Sequence, residues 1–170
     1  MSNLDSKFDI QRGWPAESQA RELDLPAATG VTLTEGMIVK VENDGSGNPV
    51  FNKLTSSLVQ ALGGSQDGAV LDPDVPYVVI RGTDQADVSA SGKVTALRLN
   101  CGLVVKTERY TPDASLVPGS KIISAAGVAT LQAFTVAQIG ATGVYRHAGY
   151  QVIGEVLSYD STNGYLIFAS

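Results

Sequence analysis

Hydrophobic and polar positions settle into a β pattern from residue 31 onward. Residues 36–42 (GMIVKVE) form an apolar run behind a glycine, the turn-forming stretch 43–49 (NDGSGNP) follows, and 50–54 (VFNKL) returns, which predicts a hairpin. Further short strands are predicted at 77–81, 94–99, 103–107, 121–124 and 128–131, with Gly or Pro between most of them. The clearest pair is the last: residues 151–160 and 165–169 flank 161–164 (STNG), and Asn-Gly is the strongest short-range hairpin signal. Only 54–62 carries a helical spacing, with Leu54, Leu58, Val59, Ala61 and Leu62 ahead of the glycine pair 63–64. Two segments echo one another, 33–39 (LTEGMIV) and 116–122 (LVPGSKI), each a turn glycine feeding a strand; at two copies they read as a shared turn solution and not as a repeat protein. Evenly spaced strands without alternating helices predict a mainly β fold, a small β-barrel or β-sandwich with at most one or two short helices.

The first thirty residues read differently. They hold Pro15 and Pro26 and show no sustained period of two or 3.6, which predicts an extended N-terminal arm (1–30) ahead of the β domain (31–170). Phe8, Ile10, Trp14, Leu23 and Leu25 are too sparse to form a core of their own and are the candidate partner-binding anchors. Fully extended, thirty residues reach about 90 Å at about 3.3 Å each, enough to cross onto a neighbouring molecule. An arm that merely trails is the alternative.

Composition narrows the function classes. Twelve basic against seventeen acidic residues give a net charge of −5 with no Lys/Arg cluster, so no nucleic-acid partner is expected. Residues 122–145 are uncharged over a bilayer-spanning length. Their apolar positions are nevertheless broken by Gly127, Gln132, Gln138, Gly140 and Gly143, which predicts strands and a loop and no membrane partner. Residues 1–11 are polar, without the apolar run of a secretory signal, so synthesis and folding in a cytoplasm are expected. The single cysteine, Cys101, rules out an intramolecular disulfide framework and a multi-thiolate zinc site.

The search for chemistry yields no catalytic, metal or cofactor residues. His147 is the only histidine, and flanked by Arg146 and Tyr150 it reads as a packing or surface residue. The carboxylate pairs Asp72/Asp74 and Asp84/Asp87 each sit within one loop, whereas glycoside hydrolysis needs two carboxylates facing across a cleft. Residues 44–48 (DGSGN) place oxygens like the start of a calcium loop, but the twelfth position is Thr55 and not glutamate. No phosphate-binding loop is present.

The stretches 31–41 (VTLTEGMIVKV), 118–122 (PGSKI), 152–157 (VIGEVL) and 164–168 (GYLIF) are similar in style to those of the small head-decoration, or cement, proteins of tailed bacteriophages, and the polar arm ahead of the domain resembles theirs too. The resemblance implies a compact β-barrel or sandwich without catalytic residues that binds the major capsid protein where subunits meet. It also implies a homo-oligomer, dimer or trimer, and a place on the capsid surface of the virion after synthesis in the bacterial cytoplasm. The alternative is a tail or fibre adaptor or a carbohydrate-binding module. An enzyme would have to set His147 beside a carboxylate in a cleft.

Overall fold

The computed structural model describes residues 8–12, 22–54, 75–99, 102–125, 129–134 and 152–170, with only the backbone of 8–12, 87, 89 and 90. The protein is mainly β, built from two antiparallel sheets. The strands are β1 (Phe8–Arg12), β2 (Glu22–Leu25), β3 (Ile38–Asn43), β4 (Pro49–Lys53), β5 (Tyr77–Arg81), β6 (Val94–Arg98), β7 (Val104–Thr107), β8 (Lys121–Ser124), β9 (Leu131–Ala133), β10 (Gly154–Asp160) and β11 (Tyr165–Ala169). Among the described residues a single helix, α1 (Ala86–Ser91), lies between β5 and β6 and ends at Gly92 in the left-handed conformation. The helical spacing at 54–62 falls outside the described residues beyond Leu54.

One sheet runs β2-β6-β5-β3-β4 and the other β1-β7-β11-β10-β8-β9. With β1 set aside, the two orders are the same, and so is the register of every ladder. Val39 pairs with Lys53 and Tyr77 as Ile122 pairs with Ala133 and Gly154. Val79 pairs with Ala96, and Ala96 with Leu23, as Val156 pairs with Phe168 and Phe168 with Val105. Even the irregularities coincide: β5 shifts register between Val79 and Arg81, and β10 between Val156 and Ser158. The chain is therefore two copies of one five-stranded unit. The echo between 33–39 and 116–122 is part of that duplication and not a coincident turn, which corrects the reading from sequence. Gly36 and Gly119 both take a positive φ, 80° and 88°, and donate N–H to the carbonyls of Val79 and Val156 at 2.8 Å.

Each unit curls without closing. In the first, Ala27 bridges to Phe51, with Ala28 N–H on the Phe51 carbonyl and Phe51 N–H on the Pro26 carbonyl, both at 2.8 Å. In the second, Tyr110 bridges to Leu131, with Thr111 N–H on the Leu131 carbonyl at 2.7 Å and Leu131 N–H on the Arg109 carbonyl at 3.0 Å. One isolated bridge is not a ladder, so neither unit is a closed barrel.

The cores follow from alternation along each strand. Leu33, Val39, Phe51, Val79, Val88, Val94 and Ala96 fill the first unit. Their counterparts Leu116, Ile122, Leu131, Val156, Leu166 and Phe168 fill the second. The second core also takes in Ile38, Leu54, Val78, Leu97 and Leu99, the opposite face of the first sheet. The first unit thus buries both faces and the units share one seam. Across that seam Ile38 N–H reaches the Ala129 carbonyl at 3.2 Å, Arg109 Nη2 donates to Thr34 Oγ1 at 3.1 Å, and the buried Ser124 hydroxyl donates to the Leu54 carbonyl.

Candidate interaction surface

The N-terminal segment contributes a strand to each sheet. β1 adds antiparallel to β7, with Phe8 opposite Thr107, Asp9 opposite Lys106, Ile10 opposite Val105 and Arg12 opposite Val104. β2 adds antiparallel to β6, with Leu23 opposite Ala96 and Leu25 opposite Val94. Of the candidate anchors, Phe8 and Ile10 therefore sit on the edge of one sheet and Leu23 and Leu25 on the edge of the other. Trp14 lies outside the described residues. Leu23 and Leu25 are half-buried and pack against the core of their own unit.

The two edges differ. β1 occupies the outer side of β7, while no described residue pairs with the outer side of β2. Val105 and Thr107 are 0% and 1% exposed, whereas their counterparts Leu23 and Leu25 keep part of their surface in water. Glu22 and Asp24 alternate with these leucines and are exposed, and Asp24 accepts from the Thr95 hydroxyl at 2.6 Å. Sequence reading singled out Leu23 and Leu25 but missed Val105 and Thr107; the alternation in 104–107 (VVKT) was the signal, too short to assign to a partner strand.

A second exposed apolar feature lies on the other unit. Val117 (52% exposed) and Leu157 (45%) flank the contact in which Gly119 N–H meets the Val156 carbonyl. On the same unit Lys121 and Glu155 form a surface ion pair, and Lys106 lies 4.6 Å over the Tyr165 ring.

Three aspartates, Asp44, Asp113 and Asp160, are committed to turns. Asp44 Oδ1 accepts from the backbone N–H of Ser46 and Asn48, both at 2.8 Å, and these bonds hold its pKa below the usual aspartate value. Asp160 accepts from Thr162 and Asn163 N–H at 2.9 Å, and Asp113 from Ser115 N–H at 2.6 Å, with the same downward shift. Residues 44–48 are thus an Asx-type turn whose acceptor is already used. Glu35 shifts the other way: burial, and then the nearby Asp84, push its pKa up. Among the described residues no group of His, Cys, Asp and Glu is placed to hold a metal ion. Asp72, Asp74, Cys101 and His147 lie outside the described residues. No helix among the described residues is long and apolar enough to cross a membrane.

No protein-family model matches the chain, and neither the curated proteins nor the solved structures yield a match.

Proposed function

We propose that this protein is a non-enzymatic virion component that binds the outer surface of a phage capsid at subunit junctions and stabilises the shell. The observation that carries the reading is the placing of the N-terminal segment as edge strands of both sheets, so that backbone and half-buried leucines sit at a sheet edge where another chain can add. The stretches that resemble cement proteins support it as well: 31–41 and 118–122 hold the paired turn-strand elements, and 152–157 and 164–168 hold β10 and β11.

The physics of a shell makes such a role effective. A capsid under internal pressure fails by separation of its subunits, and many copies spanning the seams stabilise it even when each interface is modest. A protein that grips several subunits gains orders of magnitude in avidity without any single strong contact.

Co-sedimentation of the full-length chain with assembled capsids stripped of accessory proteins tests the reading. Saturable binding in many copies per particle, with a raised temperature of capsid disruption, is the expected result. Binding confined to one vertex, or to glycans and not capsids, would assign the protein to a tail adaptor or a carbohydrate-binding module instead.

A further inference from the structure

We propose that the outer edge of β2 is a docking site for an extended strand of a partner protein, one with apolar residues two positions apart beside Leu23 and Leu25 and a basic residue opposite Asp24. The duplication supplies the argument. β2 and β7 are the same strand of the two units, each paired on its inner side in the same register: Leu23 with Ala96 and Leu25 with Val94, Val105 with Phe168 and Thr107 with Leu166. β7 carries an antiparallel strand on its outer side and its inward positions, Val105 and Thr107, are fully buried. β2 carries none from the described residues, and Leu23 and Leu25 remain half-buried. Among the described residues, the first unit lacks the outer strand that the second has received. An edge of this kind pairs by main-chain hydrogen bonds, with alternate side chains setting the specificity.

The chain's own β1 is the template for the missing strand but is poorly suited to be it. Transposed from β7 to β2, its register would set Ile10 opposite Leu23 and Phe8 opposite Leu25, as the edge requires. It would also move Asp9 from its place opposite Lys106 to one opposite Asp24, exchanging opposite charges for like ones. Arg12 would fall opposite Glu22, so the acidic edge accepts a cation there. Stoichiometry points the same way. Each chain owns one β1 and two acceptor edges, and a second copy that lent its β1 would vacate its own β7. A strand from a different protein, basic where β1 is acidic, fits both constraints. Under the capsid reading it would belong to the shell protein, but the open edge is inferred independently of that reading.

The probe is a capped peptide of residues 6–13 (SKFDIQRG) and its Asp9→Lys form, each titrated into the full-length chain and followed by fluorescence anisotropy and hydrogen exchange. The Asp9→Lys peptide should bind saturably, about fivefold or more tighter than the native peptide, since a like-charge pair becomes an opposite one. It should slow amide exchange at residues 22–25. Methylating alternate peptide nitrogens, in one of the two possible frames, should abolish binding. The proposal is overturned if neither peptide binds, or if exchange slows only at 104–107, which would mean exchange with β1. It is equally overturned if residues 22–25 become protected with rising protein concentration alone, which would make the occupant a second copy. Peptide binding without capsid binding would sink the capsid reading and leave the docking edge standing.

Discussion

Ile38 and Lys121 hold the same position in the two units, yet one is sealed in the seam and the other stands in water. Ile38 is 1% exposed and pairs with Val78, and Lys121 pairs with Glu155 at the counterpart site and forms an ion pair with it on the surface. The unit is repeated in backbone, but its outer face has diverged according to what covers it. In the first copy that face meets the second unit; in the second copy Lys121 and Glu155 on that face stand in water, while Ile123 beside them is 1% exposed. This explains how two identical topologies share so few residues, since the same register positions answer to opposite environments.

Substitutions at this pair should therefore be asymmetric. Ile38→Ala should cost about 2–5 kcal/mol as a buried cavity, and Ile38→Lys should cost more by burying an unpaired charge. Lys121→Ala should stay within about 1 kcal/mol, because an exposed ion pair contributes little. Urea unfolding of the three variants checks the contrast, and equal losses at the two positions would contradict the seam.

Two glycines should fail for different reasons. Gly119 has φ 88° and open space around its missing side chain, so Gly119→Ala should cost about 1–2 kcal/mol and Gly119→Asn, which tolerates the left-handed region, less. A Cβ on Gly154 would lie 2.4 Å from the Ala169 carbonyl oxygen and 2.8 Å from Phe168 Cδ2. Gly154→Ala should then cost about 1–3 kcal/mol by overpacking, and Gly154→Asn more, not less. The opposite ordering of Ala and Asn at the two sites is what thermal unfolding should reveal.

Much of the β framework was legible because most strands are bracketed by turn formers. Predicted strands at 77–81, 121–124 and 165–169 coincide with β5, β8 and β11, and the Asn-Gly hairpin is present with Gly164 at φ 71°. α1 was missed: six residues are too few to show a period, and only Gly92 marked its end. β1 and β2 were hidden for a similar reason, since 22–25 (ELDL) alternates over four residues only and owes its strand to β6. The duplication left one short echo because the paired cores mostly use different residues: Leu33 and Leu116, and Val79 and Val156, are alike, but Phe51 stands against Leu131 and Ala96 against Phe168. The candidate anchors Leu23 and Leu25 were visible as apolar residues among charges; that they mark an unfilled edge required the comparison with Val105 and Thr107.

Ser124 ties the two units through a buried hydroxyl donated to the Leu54 carbonyl. Ser124→Ala should cost about 1–2 kcal/mol, since the carbonyl loses a buried donor. Its partial restoration in Ser124→Thr, followed by chemical denaturation, would separate a lost hydrogen bond from lost packing; no loss in Ser124→Ala would show the bond to be energetically idle.

The pH dependence should carry two opposed contributions. Asp44, Asp113 and Asp160 have folded pKa values lowered, first by backbone hydrogen bonds. Each stabilises the fold at pH above its unfolded value near 3.8, and that stabilisation is lost as the pH falls through the lower folded value. Glu35 has the opposite sign, its folded pKa being raised above 4.5 by burial and by Asp84. Its protonated form is favoured in the fold, so its contribution is full below 4.5 and is lost as the pH rises through the folded value. Urea midpoints measured from pH 2 to 7 should show Asp160→Ala losing stability at neutral pH but not at pH 2. Glu35→Gln should gain stability at pH 7 relative to the wild type, a gain that disappears at acid pH; a Glu35→Gln profile parallel to the wild type would show that the carboxyl titrates alike in both states.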